Sequence, residues 1–368
     1  MLLPVKQIGE LTEKLAIKTG QAVAPDIVVG IVKAHPQPRR FAKKLMAILQ
    51  AELDEAFRDP AHEEQTRAIK MALSGADIPA AEQALGLFYP FYDFSSLGKA
   101  SQDAVVAAAT ALRRDGVAVL DLCLQGEQVS ALIDVLKKPT HEFAEKGTGI
   151  IHAGYDPQRA EQAGANTVWL VNQDKLNQEP LIQGLAFDPH ILAIAQSYLG
   201  APPIHVQTNA WWSLAHDGSD KALASSAQKF HQDKEFVKFI KLFVYLTDVG
   251  PQNGPHEYVT GSIADYQRAA PRRSKPGKRF DDVHIAKSFG EDRIRTMTGA
   301  AGTMILEDTL GFHRGVPVLS GHRLLLQFEY ANSLFCSPVA RFSGHNVQAW
   351  ADHHDDFARL FANYDSAA

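Results

Sequence analysis

The chain has 368 residues, 45% of them hydrophobic and 21% charged, and a formal net charge of −5. These are ordinary values for a globular protein with room for one large domain or two modest ones, and the acidic balance argues against a nucleic-acid partner. Two cysteines, Cys123 and Cys336, are too few for a disulfide framework or a Cys-rich zinc site. No apolar run approaches the ~20 residues of a membrane span, and MLLPVKQIGELTEKL does not read as a secretory leader. The expectation is a cytoplasmic protein outside any membrane.

Residues 1 to about 95 read as helical. Phe41, Leu45, Ile48, Leu49 and Leu53 recur at helical spacing, after a break at His35-Pro36-Gln37-Pro38. The aromatic stretch Phe88 to Phe94 contains a proline, so it is expected to be irregular and to dock one part of the chain on another. Next, Asp103 is a candidate cap for a helix that Asp115-Gly116 ends. Val117 to Leu120 reads as a short strand, and Val129, Leu132, Ile133 and Leu136 mark an amphipathic helix. Asp188-Pro189 should open a further helix and Gly200 close it. Strands dominate thereafter: Ile204–Leu214, Phe239–Val249, Thr303–Leu306 and Leu324–Tyr330, a pattern that suggests a sandwich or barrel. Arg268 to Arg279 carries six basic residues and reads as an exposed loop, or one that covers an anionic substrate.

Candidate metal chemistry lies at His231-Gln232-Asp233. In an extended segment, residues two apart share a face, so an imidazole and a carboxylate would converge. Two histidines and one carboxylate on one side of an iron leave the other side open for O₂ and substrate. With fifteen histidines, HxD alone is weak, and His353-His354-Asp355-Asp356 supplies two further matches in a polar tail that reads as helical.

The order of several motifs resembles the phytanoyl-CoA dioxygenase-like family of Fe(II)/2-oxoglutarate oxygenases. The likeness runs from about residue 103 to about 335: RRDGVAVLDLCL, GEQVSALIDVL, DPHILAIAQSYLG, FHQD, LTDVGPQNGPHEYVTGS and GTMILEDTLGFHRGVPVLSGHRLLLQFEY. It implies a double-stranded β-helix (a jelly-roll, cupin-like core) with flanking helices over 99–368, and a helical N-terminal extension over 1–98. It also implies His231, Asp233 and His313 as catalytic metal ligands and Arg323 as the partner of the distal carboxylate of 2-oxoglutarate. Fe(II), 2-oxoglutarate and O₂ are the implied cofactors. Decarboxylation of 2-oxoglutarate to succinate would drive removal of hydrogen from a small-molecule substrate. His322 is the rival of His313, but it stands beside Arg323 in a Ser-Gly turn, whereas His313 follows the strand MILEDT.

Gln207, Asn209 and Trp211 share one face of an expected strand and are candidate co-substrate contacts. Trp169 and Asn172 are weaker candidates, with ordinary packing the favoured reading. Asn253-Gly254 reads as a turn. The chain departs from the family at Gly315, where many relatives carry Ser or Thr two residues after the second histidine, and at Ile263, where a histidine is usual. Desaturation, ring closure or epimerisation, and a non-catalytic jelly-roll binding protein, stand as alternatives to hydroxylation. Neither substrate nor oligomeric state is legible.

Overall fold

The computed structural model describes residues 3–54, 68–69, 73, 76–156, 158, 167–215, 227–264, 278–335, 341–343, 347 and 357–365. The tail cluster at 353–356 and most of the basic loop lie outside these residues.

Four N-terminal helices, α1 (Val5–Thr19), α2 (Pro25–Ala34), α3 (Pro38–Leu53) and α4 (Asp77–Gly86), follow the expected helical reading. Pro38 occupies the start of α3, where its missing N–H costs nothing. Ile8, Leu15, Val32, Phe41, Leu45, Ile48 and Leu85 form one apolar core with Phe88, and Val237 and Phe335 from the β region enter the same cluster. Phe88 to Phe94 has no helix or strand. Its rings dock as expected except Phe91, which stays exposed. The Tyr89 hydroxyl donates to Glu52 at 2.7 Å. The Tyr92 backbone exchanges bonds of 2.7 and 3.0 Å with the Gln196 side chain, and Leu360 N–H donates to the Tyr92 hydroxyl at 2.7 Å. Arg359 bonds Glu52 at 3.1 Å while lying over the Tyr89 ring. Burial would raise the Glu52 carboxyl, but Arg359 and the hydroxyls of Ser333 and Tyr89 hold it below its ordinary value.

The helix α5 (Lys99–Asp115) begins at Gly98, so Asp103 is not its cap. Instead Asp103 pairs with Lys99 one turn earlier, at 2.5 Å, a contact available only inside the helix. Gly116 closes α5 at φ +83°, a left-handed conformation that suits glycine. A Cβ there would also collide with the Tyr258 ring.

The strands are β1 (Val117–Val119), β2 (Glu142–Glu145), β3 (Ile151–Ala153), β4 (Thr167–Leu170), β5 (Ile204–Leu214) and β6 (Phe239–Tyr245). They continue with β7 (His256–Val259), β8 (Ile294–Met297), β9 (Met304–Glu307), β10 (His313–Gly315) and β11 (His322–Ala331). Eight form an antiparallel sheet in the order β1-β9-β6-β11-β5-β4-β2-β3, and three form a smaller sheet, β10-β7-β8. The architecture is mainly β with flanking helices, a jelly roll. Period-two alternation divides the large sheet. Leu242, Val244, Leu306, Leu324, Leu326 and Phe328 point outward, under the helices Gly126–Leu136 and Pro189–Leu199. Trp211, Phe243, Tyr245, Ile305 and Leu325 point inward and meet Tyr258 and Met297 of the small sheet. Asp188 caps the second of these helices through His190 and Ile191 N–H, and Gly200 closes it, as expected. No helix among the described residues is long and apolar enough to cross a membrane.

Glu52 and Arg359 each expose only 7% of their side chains. Glu52→Ala leaves a buried guanidinium without its anion and is expected to cost about 3–5 kcal/mol. Urea denaturation of both proteins measures this, and a loss below about 1 kcal/mol would remove the pair from the docking account.

Candidate metal centre

The small sheet extends past β10 through one more antiparallel step. His231 and His313 face each other as a bridge, each donating its N–H to the other's carbonyl at 3.0 Å. Directly opposed residues place their side chains on one face, and the two imidazoles lie 4.3 Å apart between ring centroids. Asp233 follows two residues on, with its own N–H on the Thr309 carbonyl at 2.8 Å. Its carboxylate oxygens stand 3.7 Å from His231 Nε2 and 3.4 Å from His313 Nε2. The three donor atoms lie within 4.8 Å of one another, and both histidines are buried.

The histidines share a second feature. His231 Nδ1 meets the Lys229 carbonyl at 3.0 Å, and His313 Nδ1 meets the Gly311 carbonyl at 3.0 Å. A carbonyl can only accept, so each Nδ1 carries the proton and each Nε2 keeps its lone pair toward the other ligands. Two neutral imidazoles and one carboxylate are the donor set that suits a divalent iron with open positions. Burial and the neighbouring His313 hold His231 well below the ordinary histidine value. For His313, burial acts the same way, but the Asp233 carboxylate outweighs it and the net direction is upward.

Asp233 is itself held. Lys241, on β6, donates to Asp233 Oδ2 at 2.9 Å and also meets Glu235 at 2.8 Å and Glu329 at 3.7 Å. Burial would raise the Asp233 carboxyl, but Lys241 and His313 together keep it well below its ordinary range. Lys241 is pushed up by Asp233, Glu235 and Glu329 despite burial. Glu329 is fully buried and moves up, through burial and then through Glu235, which favours its neutral form. Lys241 lay hidden in the sequence within FIKLFVY, although period two puts it on the inner face with Phe243 and Tyr245.

Strand register sets the other candidates in rows across the inner face. Gln207, Glu329 and Lys241 form one row, Asn209, Gln327 and Phe243 the next, then Trp211, Leu325 and Tyr245. Gln207, Asn209 and Trp211 thus share the expected face. Gln327 donates to Gln207 at 2.6 Å, Asn209 accepts from Ala210 N–H at 2.8 Å, and Trp211 stacks on Trp169 at 4.4 Å. Asn172 is the cap of a short helix, accepting from Asp174 and Lys175 N–H.

Arg323 begins the inner face of β11 and is 3% exposed. Its Nη1 donates to the Gly254 carbonyl and its Nη2 meets Ser213 Oγ at 3.5 Å, while Nε has no partner among the described residues. No carboxylate pairs with it among the described residues, and burial lowers it to about 10. The Asn253-Gly254 turn therefore carries a contact that a turn signal alone does not reveal. His322, one residue earlier, points to the Tyr155 hydroxyl at 2.5 Å and away from the triad. Among the residues of the basic loop, Arg279 is described; it is half-buried and lies within electrostatic reach of His231 and Asp233.

The family described as Phytanoyl-CoA dioxygenase (PhyH) matches residues 112–324. Comparison with curated proteins gives no match. Similar solved structures include the non-heme alpha ketoglutarate dependent epimerase SnoN from nogalamycin biosynthesis, at 18% identity over 62% of this chain and 84% of that one, TM-score 0.43. EctD from S. alaskensis with 2-oxoglutarate and 5-hydroxyectoine has 21% identity over 66% and 82%, TM-score 0.44. HygX from Streptomyces hygroscopicus with nickel, 2-oxoglutarate and hygromycin B has 16% over 61% and 86%, TM-score 0.41.

The donor geometry generates a binding expectation. Titration with Fe(II) without oxygen should show about one ion per chain, lost in His231→Ala and in Asp233→Ala. Lys241→Met removes the cation that orients Asp233 and should weaken metal binding by roughly 10–100-fold. Metal affinity unchanged in Lys241→Met would show that the lysine does not orient the ligand.

Proposed function

This chain belongs to the phytanoyl-CoA dioxygenase family, and we propose that it is an Fe(II)- and 2-oxoglutarate-dependent dioxygenase that hydroxylates a small molecule. The observation that carries this reading is the pairing of a three-donor triad with a buried, acid-free guanidinium in the same interior. A metal site alone would need no such cation. An unpaired buried charge is costly, and a co-substrate carboxylate offsets that cost.

In this reading His231, Asp233 and His313 hold the iron. Bound iron supplies the oxidising chemistry that couples decarboxylation of 2-oxoglutarate to removal of hydrogen from the substrate. The backbone carbonyls of Lys229 and Gly311 hold the Nδ1 proton of each imidazole, so that Nε2 of each ring is the atom turned toward the metal position. Lys241 keeps Asp233 ionised and aimed. Arg323 offers a planar fork to the distal carboxylate and fixes the orientation of the keto acid. Gln207, Asn209 and Trp211 line the same wall as candidate contacts, and the stacked rings of Trp169 and Trp211 help to exclude water from it. The helices of residues 1–98 brace the core over 99–368 and supply no ligand.

Two measurements test this. Succinate release from 2-oxoglutarate across a panel of small molecules should rise with the true substrate, whose product is one oxygen heavier. Arg323→Ala should raise the Michaelis constant for 2-oxoglutarate about a hundredfold or more, with Fe(II) affinity unchanged, because a buried two-point ion pair is lost. Arg323→Lys should recover part of the loss, keeping the charge without the fork. An unaltered dependence on 2-oxoglutarate in Arg323→Ala would refute the assignment.

A further inference from the structure

Gly315 leaves the family's usual hydroxyl position without a hydroxyl, and the space beside it is taken. A Cβ at residue 315 would stand 3.1 Å from Arg323 Nη2, so a serine there would crowd the guanidinium. The opposite wall carries hydroxyls instead. Register places Thr167 of β4 beside Ser213 of β5, and Ser213 beside Arg323 of β11, in one row across three strands. Alternation puts this row on the inner face, since Trp169 and Trp211, two residues along, stack there. Thr167 is 1% exposed and Ser213 2%. Ser213 Oγ already meets the guanidinium, yet among the described residues Thr167 Oγ1 is buried without a hydrogen-bond partner, as is Arg323 Nε at the other end of the row.

A buried hydroxyl with no partner loses the free energy of its hydration and gains nothing in return. Valine at this position would fill the same space at no such cost. Two unpartnered polar groups flanking one bonded serine call for an anionic ligand that reaches all three. We propose that the hydroxyls of Thr167 and Ser213 bind the distal carboxylate of the keto acid beside Arg323, in place of the hydroxyl missing at residue 315. This rests on the reading of Arg323 as the co-substrate anchor. The donors then come from the large sheet instead of the small one. Specificity for a second carboxylate is built by strands β4, β5 and β11, while the strand carrying His313 is left free of it.

The test uses the full chain loaded with Fe(II) without oxygen and two probes. One is 2-oxoglutarate; the other is 2-oxopentanoate, the same keto acid with a methyl group where the distal carboxylate stands. Binding constants are read by calorimetry, and the Fe(II) affinity of each variant reports that its fold is intact. Thr167→Val and Ser213→Ala should each weaken 2-oxoglutarate about tenfold or more, as expected for loss of a hydrogen bond to a charged group, and leave 2-oxopentanoate unchanged. Thr167→Ser should keep wild-type affinity. Unchanged 2-oxoglutarate binding in Thr167→Val overturns the proposal and leaves the co-substrate reading intact. Equal weakening of both acids overturns it too, because the threonine then serves packing alone. A wild-type protein that binds 2-oxoglutarate no better than 2-oxopentanoate overturns the proposal together with the reading it rests on.

Discussion

The backbone pairing of His231 with His313 is the constraint on which the site depends. Two reciprocal hydrogen bonds of 3.0 Å fix the register of segments far apart in sequence. Everything local follows from that register. It sets the rings side by side, brings each Nδ1 onto the carbonyl two residues back, and leaves both Nε2 atoms toward Asp233. A slip of one residue would send one imidazole to the opposite face. The pairing is guarded at both flanks: Ser262 Oγ accepts from Phe312 N–H at 2.9 Å, and Gly315 N–H donates to the Ala227 carbonyl at 3.1 Å. A Cβ at Gly311 would drive into Tyr258, so the approach to His313 needs a glycine there.

Two buried cations sit on the inner face, and their surroundings differ. Lys241 is matched inside the protein by Asp233, Glu235 and Glu329, so its charge is balanced before any ligand arrives. Arg323 has a carbonyl and a hydroxyl, which solvate a charge but do not neutralise it. The first arrangement is a neutralised, rigid network around Asp233; the second leaves a buried positive charge open to an anion. His256 and Glu307 add a further pair across the interior, 3.1 Å apart, with His256 held low by burial despite its carboxylate neighbour. Among the described residues this interior also holds buried polar atoms with no hydrogen-bond partner, at Thr167, Trp169, Glu307, Glu329 and Arg323, and of these Thr167 and Arg323 share one row across the sheet.

Much of this was readable from the chain. Strands Phe239–Tyr245 and His322–Ala331 are long and rich in apolar and aromatic residues, and the helix over Pro189–Leu199 has both ends signalled by Asp188 and Gly200. The HxD spacing located two members of the His-Asp-His cluster, and Gln207, Asn209 and Trp211 fall on the face that alternation assigned them. The strands at 142–145, 151–153, 256–259 and 294–297 were missed because three or four residues are too few for a period to declare itself. Asp103 misled because a residue suited to capping is also suited to an i,i+4 pair with Lys99. Lys241, Thr167 and the Gly254 carbonyl were invisible for a different reason. Their importance lies in what they meet across the sheet, and a register between distant strands is not written in either strand alone.

The N-terminal helices gain a purpose from the same geometry. The segment from Asp233 to Lys241 carries a ligand at one end and that ligand's counter-cation at the other, and its middle is gripped from outside the jelly roll. Val237 is buried in the helical core, and Phe236 packs with Ile78 of α4 and with Leu310. Between them and β6, Lys238 bonds Glu82 of α4 at 2.7 Å and the Tyr198 carbonyl at 2.5 Å. Leu310 in turn accepts from the Gln232 side chain at 2.6 Å, one residue before the carboxylate ligand. Loosening α4 would therefore free the 233–241 segment at several points and leave the His231–His313 pairing untouched. The helices brace the carboxylate arm of the triad while the β register holds the imidazole arm, so the triad is assembled by two separately built parts of the fold.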